Sequence, residues 1–207
     1  MGQNDEAVLL RFAQLRFDPN ARRTAEDVWI PPSDGNLAPK LECSKGRRFT
    51  EDILDRHSDE YIVQEKLDGH MLAFTGKQAL GKSGKVYRTI PAEFSQFALP
   101  AGIPLIGELY RGPGWSCGSL NGKDTPPGGS LKQTRAHQAK WFLSKYVVFD
   151  IPGLTRTPYH QRHAALKAAV QRWNHDVAVY LKTTVDRLPL QCINIYPATT
   201  WLPLLQE

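Results

Sequence analysis

The run Glu65-Lys66-Leu67-Asp68-Gly69 places an amine, a carboxylate and a side-chain-free residue within four positions of one another. A lysine at a strand end becomes a nucleophile where its surroundings favour the neutral amine. Asp68 offers a carboxylate to a ribose hydroxyl or a metal-bound water, and Gly69 lets a ligand approach the backbone closely. An ordinary hairpin turn with a solvated lysine has the same spelling, and Lys-x-Asp-Gly occurs by chance in roughly one chain in twenty of this length. Two later features add weight. Gly107-Glu108-Leu109 sets an acid inside an apolar run, where a carboxylate needs a cation or a hydroxyl beside it unless it faces solvent on an edge strand. Val147-Val148-Phe149-Asp150 ends another apolar run with an aromatic ring suited to stacking on a base or to filling the core.

Strands and turns must position these groups. Tyr61 to Lys66 reads as a strand, Asp68-Gly69 as a hairpin turn, and Met71 to Thr75 and Ala79 to Lys82 as following strands. Pro104 to Tyr110 and Lys145 to Ile151 are further strand candidates. Thr50, with Glu51 and Asp52 in the turn after it, marks the start of a short helix ending near His57. Thr157-Pro158 opens the clearest helix, with Tyr159, His163, Leu166, Val170 and Trp173 spaced by threes and fours and Pro158 at its first position. Val177 to Leu181 and Cys192 to Tyr196 read as strands, and Thr199 or Thr200 as the cap of a last short helix. Irregular alternation of strands and helices, with hairpins, predicts an α+β fold of largely antiparallel sheets flanked by helices. Residues 1–36 read as an N-terminal extension containing an amphipathic run from Val8 to Phe17, and residues 37–207 as one domain.

The glycine- and proline-rich stretch from Arg111 to Ser130 predicts a long loop. With Lys132, Arg135, Lys140 and Trp141 behind it, the region mixes cations and aromatics, as a nucleic-acid backbone contact or a solvated loop and helix would. Gly81-Lys82-Ser83 lacks the strand-loop-helix setting of a P-loop. His160 and His163 share a helix face without neighbouring acids or cysteines, so His163 reads as a core-edge residue rather than a ligand.

The 207 residues, net charge +5 and three scattered cysteines, Cys43, Cys117 and Cys192, narrow the field further. Length suits one domain with an extension, and the odd cysteines are expected as free thiols rather than a disulfide framework or zinc site. No run approaches the roughly 18 apolar residues of a membrane span, and the polar start lacks a secretory signal's apolar stretch, so an intracellular protein with no membrane partner is expected. The mild basic excess suits a polyanionic partner without requiring one.

Taken in order, Glu65 to Gly69, Gly107-Glu108-Leu109 and Val148-Phe149-Asp150 resemble motifs of the covalent nucleotidyltransferases, and among them the ATP-dependent DNA ligases. Leu80 to Lys85 is similar to the ligase segment reading Ser-Arg-Ser-Gly-Lys, and Gly107 to Gly112 to their Gly-Glu-Leu-Trp with a following glycine. The resemblance covers about residues 37 to 205 and implies an adenylation domain taking ATP and Mg²⁺ and acting on nicked double-stranded DNA in replication or repair. It implies that Lys66 attacks the α-phosphate, that Glu65 holds the adenine edge, that Asp68 and Glu108 serve the ribose or the hydrated metal, and that Gly69 belongs to the nucleotide-binding set. Lys82 would stand near the ribose and Phe149 would stack on adenine, with Arg111, Lys132, Arg135 and Lys140 along the DNA. Two departures stand out. Met71 occupies the place of a family arginine, and the chain ends before the Glu-Gly motif, the Lys-x-Lys motif and the oligonucleotide-binding barrel. The expectation is therefore an adenylation domain incomplete at its C-terminus. The alternatives are a degenerate binding or assembly module with a protein partner, or an RNA ligase or capping-type enzyme.

Overall fold

A computed structural model describes residues 3–20, 62–76, 79–82, 84, 87, 90–100, 102–112, 143–152, 154 and 156–197. Its elements in chain order are α1 (Gln3–Gln14), β1 (Ile62–Val63), β2 (His70–Phe74), β3 (Ala79–Gly81), α2 (Ala92–Ala98), β4 (Leu105–Tyr110), β5 (Lys145–Asp150), α3 (Tyr159–Leu181), β6 (Leu190–Cys192) and β7 (Tyr196–Pro197). A single turn of 3-10 helix, Val185–Arg187, precedes β6. Five strands form one sheet in the order β3-β2-β4-β5-β6, antiparallel except for the β5–β6 pair, and β1 pairs with β7 in a separate two-stranded sheet. The architecture is α+β and largely antiparallel. The one parallel pair needs a crossover, which α3 supplies.

Strand alternation sends Leu72, Phe74, Leu105, Leu109, Tyr146, Val148 and Leu190 to the face that α3 covers. The helix meets them with Leu166, Ala169, Val170, Trp173 and Val177. On the opposite face Ala73, Leu80 and Ile106 make a smaller apolar cluster against which Phe149 packs. The first helix joins the main core: Phe12 and Leu15 are buried in it, Arg172 donates to the Phe12 carbonyl at 2.7 Å, and buried Asp5 accepts from the Thr157 hydroxyl at 3.0 Å. The start of the N-terminal extension is thus docked on α3.

Several sequence expectations are corrected. The strand expected over 61–66 is reduced to β1, and no hairpin forms at Asp68-Gly69, because β1 pairs with β7 whereas β2 pairs with β3 and β4. Residues 64–68 instead run as irregular chain between the two sheets. The strand expected at Val177–Leu181 is the end of α3, because buried positions continue at helical spacing through Trp173, Val177 and Ala178. The helix ends only at Lys182, in left-handed conformation with φ 50°. Thr157 does not cap α3, since its hydroxyl goes to Asp5 and Pro158 occupies the cap position without a side-chain bond. The strand expected at Cys192–Tyr196 divides into β6 and β7, and the ring of His163 takes the Ile193 carbonyl between them, donating at 2.8 Å. Helix α2 was not anticipated. The helices expected at 50–57 and after Thr199, and all but the first two residues of the loop expected from Arg111, lie outside the described residues. Among the described residues no helix is long and apolar enough to cross a membrane, and no group of three or more ligating side chains could hold a metal ion unaided.

Gly107 has a packing reason visible only in three dimensions. A Cβ there would lie 2.6 Å from the Val147 carbonyl oxygen, 2.7 Å from the Tyr146 ring and 2.9 Å from the Val148 Cα. The Tyr146 ring covers the glycine, its fully buried hydroxyl 3.1 Å from the Leu72 carbonyl and 3.3 Å from that of Leu105. Gly107→Ala should therefore cost about 1–3 kcal/mol through overpacking, measured by urea unfolding. A loss below a few tenths would show that Tyr146 can move aside.

Candidate nucleotide site

Glu108 is the centre of the site. On β4 it stands between Met71 of β2 and Val147 of β5, so its carboxylate leaves an apolar row across the sheet. Burial is the largest influence on it and raises its pKa above the usual glutamate range. The Gly69 backbone N–H donates to the carboxylate and opposes that rise, as do the positive charges of Lys66 and Lys82, while the negative charge of Asp68 adds to it. Four residues singled out in the sequence, Lys66, Asp68, Gly69 and Lys82, thus act on one carboxylate. Their positions come from different elements. Lys66 and Asp68 are exposed on the irregular chain before β2, and Lys82 is exposed just beyond β3.

Gly69 is required by contact rather than by an unusual backbone angle. A Cβ on it would fall onto the Leu109 carbonyl oxygen and within 2.8 Å of the Glu108 side chain. The Leu109 oxygen belongs to the sheet backbone and cannot turn away. Gly69→Ala should lower stability by about 1–3 kcal/mol, seen in urea unfolding, and displace the Glu108 carboxylate, abolishing any activity that depends on it. Wild-type behaviour on both counts would mean that the two segments separate easily.

Phe149 is half-buried on the same face as Glu108, since Ile106, which belongs to its cluster, is two residues from Glu108 on β4. The register of β4 and β5 steps from Gly107↔Val148 to Ile106↔Asp150, leaving Phe149 as the extra residue of a β-bulge. Its carbonyl accepts from the Tyr159 hydroxyl at 2.8 Å. Asp150, next in the chain, turns toward α3 and holds the buried Arg162 guanidinium through contacts of 2.7 and 3.0 Å. Arg162 also donates to the carbonyls of Leu154 and Thr157. Sequence reading missed this grip on Phe149. Its only trace was Tyr159 and Arg162, three apart on the helix, facing the strand that Asp150 ends.

The remaining candidates are placed less centrally. Glu65 is exposed beside Lys66, and it is not among the charges that act on Glu108. Arg111 is half-buried one residue beyond β4. Lys132, Arg135 and Lys140 lie outside the described residues. Cys192 is a free thiol whose pKa burial pushes up to about 12, and its sulfur lies 3.7 Å from the His163 ring. Burial lowers the His163 pKa, and a neutral donor ring fits its bond to Ile193, so this pair belongs to the core.

No family model matches the sequence, and no curated protein matches it. By structure the chain is similar to a solved Lig E DNA ligase, a structure described for DNA binding with a minimal scaffold, at 17% identity and a TM-score of 0.49. The match covers 78% of this chain and 52% of that one, so the chain spans about half the length of the protein it resembles.

Proposed function

We propose that this chain is the adenylation part of an ATP-dependent DNA ligase, forming a lysyl-AMP adduct on Lys66 for the sealing of nicked DNA. The observation that carries the reading is the convergence of Lys66, Asp68, Gly69 and Lys82 on Glu108, on the sheet face that also bears Phe149. With Glu108 and Phe149, those residues come from four separate segments, two of them on strands β4 and β5 and two on the chain flanking β2 and β3. The Lys66 amine, once neutral, bonds to the α-phosphorus of ATP as the bond to the bridging oxygen breaks and pyrophosphate leaves, and the nitrogen gives its extra proton to solvent. Phe149 offers a flat apolar face to the adenine, and Asp68 and Glu108 accept from the ribose hydroxyls. Lys82, whose charge also acts on Glu108, would offset negative charge on the phosphoryl oxygens.

Mg²⁺ is bound in nucleotide sites through one or two carboxylates together with substrate phosphates and water. Glu108, partly desolvated and with Asp68 close enough to act on it, fits that donor set. When bound, the ion would neutralise charge on the phosphates.

Incubation of the protein with α-labelled ATP and Mg²⁺ should yield an acid-labile protein adduct that is chased by nicked DNA. Labelling by GTP instead would point to a capping-type enzyme, and discharge on nicked RNA alone to an RNA ligase. No adduct at any ATP concentration would overturn the enzymatic reading in favour of a binding module.

A further inference from the structure

We propose that Tyr159 and Gln64 are positioning residues, forming a latch that ties the chain before Lys66 to the bulge that carries Phe149; the inference rests on the adenylation reading above. Bulged residues leave the strand ladder and need partners from elsewhere. At Phe149 that partner is the Tyr159 hydroxyl, 2.8 Å from the carbonyl oxygen. The same hydroxyl lies 3.0 Å from the side-chain amide oxygen of Gln64. A phenol has one proton and can also accept, so with the Gln64 amide turned about its axis both contacts are satisfied: Gln64 donates to Tyr159, and Tyr159 donates to Phe149.

Gln64 is two residues before Lys66, on the irregular stretch that no strand pairing holds. Tyr159 is itself fixed from behind. The Arg162 guanidinium carbon sits 5.3 Å from the centre of its ring, and Asp150 grips that guanidinium at two points. Burial pushes the phenol pKa up, so the hydroxyl keeps its proton and donates at neutral pH. A tyrosine that served only to satisfy the bulge carbonyl would need no contact with Gln64. The second contact sets the distance between the segment of the nucleophile and the strand of the base-stacking ring, and a nucleophile displaced by an ångström loses most of its positional advantage.

Single-turnover labelling over a range of ATP concentrations tests the latch on wild type, Gln64→Ala, Tyr159→Phe and the double variant. Gln64→Ala should lower the limiting rate about five- to tenfold, the worth of one neutral hydrogen bond, while leaving the half-saturating ATP concentration unchanged. Tyr159→Phe should lower the rate similarly and also raise the half-saturating concentration, because Phe149 loses its anchor. The double variant should be no slower than Tyr159→Phe, since Gln64 acts through the hydroxyl. Gln64 is exposed, so its variant reports even if Tyr159→Phe folds poorly. Wild-type kinetics for Gln64→Ala, or losses that multiply in the double variant, would overturn the latch alone. A lowered unfolding midpoint with unchanged kinetics would likewise overturn it, as the sign of a purely structural role. A wild type that takes no label would overturn the adenylation reading together with the latch.

Discussion

Lys66→Ala should reduce labelling from α-labelled ATP to background, a loss of more than about a thousandfold, as expected when the nucleophile of a covalent step is removed. The side chain is exposed and packs into no core, so the unfolding midpoint should stay at the wild-type value. Lys66→Arg should be equally inactive, because a guanidinium does not release its proton and presents no lone pair. Lys82 is the informative control. Its charge also acts on Glu108, so influence on that carboxylate does not by itself choose between the two amines. If Lys66 carries the adduct, Lys82→Ala should still form it, more slowly. Label retained in Lys66→Ala and lost in Lys82→Ala would move the nucleophile to the end of β3 and break the correspondence with the motif.

Arg162→Met should destabilise the fold by about 3–5 kcal/mol, because it leaves the Asp150 carboxylate buried without its cation. Both partners are almost fully shielded, the side chains 6% and 4% exposed, so water cannot take over. The substitution also removes the donors to the Leu154 and Thr157 carbonyls. Adding Asp150→Leu should recover much of the loss, since an apolar pair replaces an isolated charge. Urea unfolding of the two single variants and the double measures both effects. A single-variant loss under about 1 kcal/mol would be that of an exposed pair and would contradict the burial. The exposed contact of Arg16 with Asp176, at 3.0 Å, provides that comparison within the same molecule.

Much of the scaffold was legible because its signals are local. The period of α3 from Tyr159 to Trp173, and the apolar runs of β2, β4 and β5, follow from residue spacing alone. Errors arose where local signal and long-range pairing disagree. Asp68-Gly69 is spelled like a hairpin, yet Gly69 is fixed by the backbone of β4, some forty residues further along the chain. Val177 to Leu181 is apolar enough for a strand, but the helix already under way carries its buried face through Val177 and Ala178.

By itself the sequence determined which chemistry was present: a lysine, an aspartate and a glycine in one short run, an acid inside an apolar strand, and an aromatic residue at the end of another. It also determined the amphipathic helix that covers the sheet. Only the tertiary structure decided that Lys66, Asp68, Gly69 and Lys82 act on Glu108, that Gly107 is a seat for Tyr146, and that Tyr159 and Arg162 secure the bulge at Phe149. The reason is physical. Propensity and periodicity act over a few residues, whereas desolvation, close backbone contact and buried charge pairing depend on strands and helices distant in the chain, and exist only once the sheet has closed.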